Sequence, residues 1–181
     1  MPISSIPCGM RKAVGAVVVC DGYLLLVRKV LLSQALPGPL PIPPEWGIPK
    51  GGVQEGDASP EAALMRELAE ETGSDAYRIL RRLPRPLVQH FDRYPYTALP
   101  YDGQETVVYL VEYLGNPGGL APQDDEVDRV LFVPPVRARA LLGDSEQGTY
   151  VRRLYREGVL PCPPSTQGQK GDAYKNPTGR D

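Results

Sequence analysis

The chain has 181 residues, with 20 lysines and arginines against 22 aspartates and glutamates, and a formal net charge of -2 at pH 7. This length suits one domain with a substantial hydrophobic core. The acidic balance excludes a basic footprint for tight nonspecific nucleic-acid binding, although it leaves room for a nucleotide or one RNA end as a ligand.

The first predicted elements are a short arm over residues 1–10 and then a β-hairpin. Residues 13–20 (AVGAVVVC) are rich in β-branched residues, which favour strands. Asp21-Gly22 is a strong signal for a two-residue turn, and residues 23–27 (YLLLV) form the returning strand. Uninterrupted apolar runs are typical of strands that are covered on both faces, so we expect helices on either side of a sheet, an α/β arrangement.

A proline-rich loop over residues 33–44 follows, because five prolines and a glycine disfavour both a helix and a central strand. Trp46 is predicted to be part of the core or of a pocket wall. Lys50 stands beside Gly51-Gly52, where an ammonium next to an accessible backbone turn suits a phosphate, with a solvent-facing lysine as the alternative. The candidates for substrate binding are Arg28, Trp46, Lys50 and Gly52.

The central predicted element is a helix that begins at Ser59-Pro60 and ends at Gly73. Serine caps a helix start, proline fits the first turn, and glycine commonly closes a helix. At about 100° per residue, Glu67, Glu70 and Glu71 fall on one arc of the helix surface, beside an apolar face.

This carboxylate stripe is locally unfavourable. Glu67 and Glu71 are like charges four residues apart, and acidic residues in a last turn oppose the helix dipole. A solvated acidic surface with Arg66 and Arg78 as partners is one interpretation. A bound divalent cation is the other, because it would turn the repulsion into coordination.

The second half predicts further strands and two helices. The strands are predicted at 77–83, 87–91, 106–113 and 130–133. A turn region rich in tyrosine and proline is predicted over 94–103, and helices over 134–142 and 149–160. His90, the one histidine, is predicted to be structural. The polar tail over 161–181 is predicted to be disordered.

The predicted site offers oxygen ligands only, since neither cysteine nor histidine lies near the carboxylates in sequence. Hard oxygen ligands select Mg²⁺ or Mn²⁺ over zinc. Together with an accessible glycine turn, they suit a phosphate chain bridged by metal ions. A fourth carboxylate could bind metal or take a proton from water, and the candidates in order are Glu126, Glu105 and Glu112.

Gly51-Gly52 and the segment 66–73 (RELAEETG) closely resemble the Nudix hydrolase signature, G-x5-E-x7-R-E-U-x-E-E-x-G-U with U a bulky aliphatic residue. The wider resemblance covers roughly residues 11–142. It implies a mixed sheet in an α/β/α sandwich, within a domain placed at 11–160, and Mg²⁺-dependent hydrolysis of a nucleoside diphosphate linked to another group X. The resemblance also implies that Glu67, Glu70 and Glu71 bind metal or orient water.

The resemblance implies two further roles. The Gly51 carbonyl would be a metal ligand, and Arg66 would pair with an acid in the loop, a structural role for which it is included among the predicted catalytic residues. The chain departs from the signature at that acid. The signature glutamate falls on Ala58, whereas the acid present is Asp57, one residue earlier. Whether Asp57 reaches Arg66 is left open by the sequence. Ser74 replaces the last aliphatic residue.

Within the family, residues 46–52, 103–105 and 126–128 look similar to RNA 5′-pyrophosphohydrolases and dinucleoside polyphosphate hydrolases. ADP-ribose or NDP-sugar hydrolases and nucleoside-triphosphate hydrolases remain open. A non-catalytic nucleotide-sensing module is a further alternative, supported by Ala58 and the tail. An isoprenoid diphosphate isomerase is disfavoured, because Cys20 is poorly placed for that chemistry.

The remaining predictions concern the cellular setting. Cys8, Cys20 and Cys162 are odd in number and show no pairing or zinc pattern, which favours a reducing compartment. No apolar run approaches the roughly 20 residues of a membrane span, and the start of the chain lacks a secretory signal. A cytoplasmic protein without a membrane partner is therefore expected.

Overall fold

The computed structural model describes residues 9–30, 43–92 and 99–161. Within them lie eight strands: β1 (Met10–Cys20), β2 (Tyr23–Lys29), β3 (Glu45–Gly47), β4 (Lys50–Gly52), β5 (Tyr77–Arg82), β6 (Leu87–His90), β7 (Gly103–Tyr113) and β8 (Val127–Val133). The helices in these ranges are α1 (Pro60–Thr72), α2 (Pro135–Leu142) and α3 (Glu146–Arg156), with a 3-10 turn at Pro117–Gly119. No helix in the described ranges is long and apolar enough to cross a membrane.

The strands form one mixed sheet in the order β3-β2-β1-β7-β5. At its centre β1 runs parallel to β7, from the pair Met10↔Gly103 to the pair Val19↔Glu112, and the other pairings are antiparallel. Both central strands start three residues before their predicted starts at 13 and 106. The reason is that the two starts pair with each other: residues 10–12 of β1 bond to residues 103–105 of β7. The local sequence of either start does not show this partner.

The predicted hairpin is confirmed. Cys20 pairs with Tyr23 across a two-residue turn, in which Asp21 and Gly22 adopt positive φ angles of 49° and 81°. Positive φ at both central residues matches the right-handed twist of the flanking strands, and Asp-Gly tolerates it best.

Helices cover both faces of the sheet, as the continuous apolar strands predict. Leu25 of β2 packs on one face in a buried cluster with Leu64 of α1. Its neighbour Leu26 points to the opposite face, where Leu142 of α2 and Leu154 of α3 complete a second cluster. Alternate residues of one strand thus enter different cores, so the four consecutive positions from Leu24 to Val27 are all buried and apolar. The structure has the predicted α/β/α sandwich.

Helix α1 begins and ends where its capping residues predict. The Ala62 amide donates to Ser59 Oγ at 3.1 Å, and Pro60 opens the first turn. Gly73 closes the helix in the left-handed region with φ of 72°. Beyond it, the amides of Ala121 and Gln123 donate to carbonyls of the last turn of the helix at 2.9 Å. The loop that leads to Glu126 is therefore anchored on the end of α1.

Gly73→Ala tests this anchor. A Cβ at position 73 would lie 2.2 Å from the Ala121 carbonyl oxygen, so the loop would have to move. We expect the free energy of unfolding to fall by about 2–4 kcal/mol, which exceeds the 1–2 kcal/mol of left-handed strain alone. Chemical denaturation measures the change.

Gly158→Ala is the matched control for the strain. Gly158 has φ of 69°, and nothing lies within 4 Å of a Cβ built there. The free energy of unfolding of Gly158→Ala should therefore fall by about 1–2 kcal/mol, the cost of the left-handed strain alone. Equal losses for the two variants would show that the loop contact at Gly73 is unimportant.

The last helix differs from its prediction. Helix α3 spans Glu146–Arg156 rather than 149–160, because Ser145 accepts a hydrogen bond from the Gly148 amide at 3.0 Å and so caps an earlier start. The described part of the chain ends at residue 161. The predicted tail after residue 161, most of the proline-rich loop, the first half of the 94–103 turn region and residues 1–8 of the predicted arm lie outside the described residues.

Candidate active site

The guanidinium of Arg66 organises the loop in front of α1. Its Nε and one terminal nitrogen donate to the two Asp57 carboxylate oxygens, each at 3.0 Å. The same nitrogen reaches the Gly52 carbonyl at 3.1 Å, and the other terminal nitrogen reaches Glu67 at 2.8 Å and Glu70 at 3.2 Å. Asp57 therefore makes the loop contact although it lies one residue early, and the longer loop places it correctly.

Glu67 lies directly against the glycine turn. Its side chain is largely buried, and a Cβ at Gly51 would meet the Glu67 carboxylate at 2.0 Å. No side chain larger than hydrogen fits at position 51 while Glu67 keeps this place. The glycine is thus required for close approach rather than for an unusual backbone angle.

Glu71 is the most buried of the three helix carboxylates, at 1% exposure. It accepts a hydrogen bond from the Lys50 amide at 3.1 Å, and its other oxygen contacts Lys29 Nζ. Burial raises the pKa of Glu71, an effect that Lys29 opposes. Burial, and then the nearby Lys29 charge, lower the pKa of the Lys50 ammonium. Strands β2 and β4 thus surround this carboxylate with positive charge.

The three late carboxylates lie in different places. Glu126 is exposed and lines the cavity in front of the glycine turn, and its amide donates to Asp124 at 3.1 Å. Glu105, which is not among the residues that line the cavity, pairs at 2.9 Å with Lys12, which is. Glu112 pairs with Arg78 near the far end of β7. Of these three carboxylates, Glu126 alone is among the residues that line the cavity.

The cavity has a volume of about 600 Å³. Its wall includes most of the predicted site residues: Trp46, Lys50, Gly51, Gly52, Glu67, Glu70 and Glu126. Arg28 does not line it. Its guanidinium instead forms a bidentate pair with Asp128 and lies 6.0 Å from the Trp46 ring centre. Arg28 thus supports the tryptophan from beside the cavity.

The sequence interpretation missed three cationic side chains that line this cavity, Arg11, Lys12 and Lys29. Arg11 donates to Gln104 at 3.3 Å, lies 5.8 Å from the Tyr101 ring centre and covers Gly52, where a Cβ would meet its guanidinium at 2.6 Å. Lys29 donates to the Lys50 carbonyl at 2.6 Å. The available signal was a cation at the end of an apolar strand, Arg11 in β1 and Lys29 in β2. Only the strand pairing shows that these two strand ends lie at the same cavity.

Gln147 is a further missed residue. Its side-chain oxygen accepts from the Ile48 amide at 3.0 Å, and a Cβ at Gly47 would come within 2.6 Å of that oxygen. The first turn of α3 therefore holds the strand that leads into the glycine turn. Cys20, at the hairpin end of β1, is not among the residues that line the cavity.

The donor set matches a hard divalent cation in chemistry, because the acids around the glycine turn offer oxygen only. Across the described ranges, no three Asp, Glu, His or Cys side chains are gathered as a metal cluster. The reason is visible in the contacts: Arg66 holds Glu67 and Glu70, while Lys29 holds Glu71. The buried carboxylates of Glu67 and Glu71 are thus paired with Arg66 and Lys29. A divalent cation could replace these two side chains as the partner of the carboxylates.

A family model for the NUDIX domain matches residues 9–154, which include the whole sheet, α1, and the glycine turn. The chain belongs to the Nudix family. Use of a divalent metal is typical of this family.

Relatives and a solved structure agree with the Nudix assignment. A curated RNA pyrophosphohydrolase of Nitratiruptor is 32% identical over 103 residues, 56% of this chain and 63% of that relative. Another, of Cereibacter sphaeroides, is 36% identical over 60% of this chain and 64% of that relative. The matches thus span just under two thirds of these relatives. The fold resembles a C. elegans Ap4A hydrolase with TM-score 0.58 and 19% identity, over 83% of this chain and 98% of that one.

The shifted acid of the Nudix signature gives a pH-dependent prediction. Hydrogen bonds from Arg66 hold the pKa of Asp57 below its ordinary value, so the pair stabilises the fold above pH 4 and is lost as the folded carboxylate protonates at lower pH. We expect Asp57→Asn to lower Tm at pH 7 and to differ little from the parent protein in strong acid. Thermal unfolding across pH measures this. Glu55→Gln, a charge removed from the same loop, should leave Tm unchanged at both pH values.

Proposed function

We propose that this protein hydrolyses a diphosphate bond in a nucleoside polyphosphate, with a 5′-triphosphorylated RNA end as its leading substrate. One observation carries the proposal: the Glu67 carboxylate lies against Gly51 in the wall of a cavity that cationic side chains also line, and the buried Glu71 carboxylate lies behind that wall, where it accepts the Lys50 amide. The RNA end is favoured because the two relatives above, at 32% and 36% identity, are named RNA pyrophosphohydrolases.

The cavity has the charge and shape for a polyphosphate linked to a base. Arg11, Lys29 and Lys50 face the space around the glycine turn and complement phosphate oxygens. Trp46 supplies an aromatic wall on the same cavity, which suits stacking of a base. Phosphate contacts fix the position of the chain, and the aromatic wall holds the nucleoside beside it.

In the proposed reaction, water attacks one phosphorus of the anhydride, and the P–O bond to the bridging oxygen breaks. Glu67, Glu70, Glu71 and Glu126, with the Gly51 carbonyl, would hold Mg²⁺ or Mn²⁺. When bound, this ion supplies charge neutralisation for the phosphate oxygens and lowers the pKa of the attacking water. In this proposal Glu126, which is exposed at the cavity wall, also accepts the proton of that water.

Arg66 contributes by position in this proposal. It holds the Asp57 loop, the Gly52 carbonyl and two of the carboxylates in one arrangement, so the acids enter the reaction already oriented. The non-catalytic alternative rested on Ala58 and the tail. It loses the support of Ala58 because Asp57 binds Arg66 instead, and the tail after residue 161 lies outside the described residues.

Chromatographic separation of the products from a 5′-triphosphorylated RNA oligonucleotide tests the proposal, because it detects nucleotide, sugar-phosphate and pyrophosphate products alike. The same separation should be applied to ADP-ribose, a dinucleoside tetraphosphate and nucleoside triphosphates, each with Mg²⁺, with Mn²⁺ and with a chelator. We expect metal-dependent turnover with the highest kcat/KM on the RNA end. Turnover that is faster on ADP-ribose would reassign the substrate, and no turnover on any of them would overturn the proposed activity.

A further inference from the structure

Strand β5 and the turn after it carry a run of arginines outside the site described above. Arg78, Arg81, Arg82 and Arg85 are all exposed, and no acidic residue interrupts them. We call these four residues the arginine edge. At about 3.3 Å per residue, the edge extends over roughly 23 Å, and Arg81 and Arg82 project to opposite faces of this outer strand, since their partners Leu110 and Tyr109 belong to different cores.

The arginine edge retains unpaired positive charge. Arg78 pairs with Glu112, and Arg82 lies close enough to Glu61 of α1 to lower the pKa of that carboxyl, although Tyr109 lowers it more. The side chains of Arg81 and Arg85 form no ion pair with any residue that the structure describes. Arginine binds phosphate through a planar fork of donors, which suits an anionic backbone.

Edge protection is the simpler explanation of these charges. Strand β5 pairs with β7 alone among the described strands, and exposed edges are commonly charged to prevent aggregation. That role does not require the run to lead anywhere. Whether the arginine edge leads to the cavity therefore decides between edge protection and the binding of an anionic backbone.

The arginine edge leads to the cavity. Strands β5 and β6 follow β7 in one direction, so that Arg82 pairs with Tyr109 and Gln89 pairs with Gln104. Gln89 and Gln104 both line the cavity. Arg85 precedes Gln89 by four residues, or about 13 Å of extended chain.

A neighbouring cavity of about 690 Å³ has acids but neither lysine nor arginine among its described lining residues. It shares Glu45, Trp46 and Gln89 with the first cavity, and its four acids and one histidine are Glu45, Asp92, Asp144, Glu146 and His90. Carboxylates repel a phosphodiester backbone, so this side disfavours the passage of a nucleic acid. The arginine edge and this acidic cavity both adjoin the first cavity, and of the two only the arginine edge complements phosphate.

We infer that the arginine edge binds the sugar-phosphate backbone of an RNA substrate beyond its reacting 5′ end. This inference rests on the proposed RNA substrate and specifies how the protein would prefer a long RNA to a free nucleotide. A local basic strip is compatible with the overall net charge of -2, because screening at about 8 Å in physiological salt makes local charge decisive.

The test is binding of a 3′-labelled RNA of about 20 nucleotides with a 5′-hydroxyl end, measured by fluorescence anisotropy. Salt is varied from about 25 to about 200 mM, a range over which the release of counterions changes the affinity measurably. The variant is R81Q/R82Q/R85Q, which leaves the paired Arg78 in place. We expect Kd to rise about tenfold at low salt and the slope of log K against log salt to fall by about 2, since each single-strand phosphate contact contributes about 0.7.

The matched control is R137Q/R139Q/R156Q, which removes three exposed arginines from α2 and α3 and should leave the slope unchanged. Thermal unfolding verifies that both variants fold. In turnover, the edge variant should raise KM for a triphosphorylated 20-mer and leave kcat/KM for a nucleoside triphosphate unchanged. Equal effects of the two variants on RNA binding would overturn the inference. Because the binding assay needs no turnover, failure of the proposed hydrolysis would be seen separately.

Discussion

Glu71→Gln is expected to lower kcat by about two to four orders of magnitude with little effect on the fold. Glutamine preserves the shape of the side chain and can still accept the hydrogen bond of the Lys50 amide, but it removes the charge that faces Lys29. Burial already disfavours the charged form of Glu71, so a neutral side chain adds no desolvation cost. Steady-state kinetics on the best substrate of the panel measures the loss.

Metal-dependent thermal stability separates the role of Glu71 in the site from a role in folding. Divalent metal at about 100 times its Kd should stabilise the parent protein by about 2.7 kcal/mol, and Glu71→Gln should lose most of this shift while its metal-free Tm stays close to that of the parent. Glu157→Gln, which removes the same charge from the exposed end of α3, should change neither kcat nor the metal shift. If Glu71→Gln retained parental turnover, Glu71 would have no place in the mechanism.

Gly51→Ala is expected to reduce kcat/KM by about 10²-fold, because the added methyl group displaces the Glu67 carboxylate by about 1 Å or more. The new Cβ would lie 2.0 Å from that carboxylate, and the carboxylate is the flexible end of a side chain. The backbone therefore keeps its place, and the damage falls on the reacting groups. Kinetics and Tm measured together distinguish a displaced acid from a damaged fold.

Gly56→Ala is the control for Gly51→Ala. Gly56 lies in the same loop region, and nothing stands within 4 Å of a Cβ built there. This variant should keep parental kcat/KM. A Gly51→Ala enzyme with unchanged turnover would mean that the contact between Gly51 and Glu67 does not position a reacting group.

Several features were predictable from the sequence because their causes are local. The turn at Asp21-Gly22 and the ends of α1 at Ser59 and Gly73 depend on φ angles and capping bonds within a few residues. The carboxylate stripe follows from the helical period alone. Motif spacing likewise placed Asp57 and Arg66 as possible partners, without showing whether they meet.

The site contained more than local patterns could show. Arg28 stood beside the strand end and was predicted to bind substrate, whereas its guanidinium pairs with Asp128, a hundred residues away in sequence. Lys29, the next residue, instead points to Glu71. Adjacent residues of a strand face opposite sides, so one position decides whether a cation joins the site or supports a wall.

The sequence by itself determined the hairpin, the capped helix, the acid face and the family resemblance, because each is specified within a short segment by torsion angles, helical period or motif spacing. Tertiary structure alone decided which distant groups share the cavity. Parallel pairing of β1 with β7 brings Arg11 beside Gln104, and packing of α3 on the sheet brings Gln147 to Ile48. Such contacts depend on strand order and register, which follow from burying two apolar faces at once and not from any one segment.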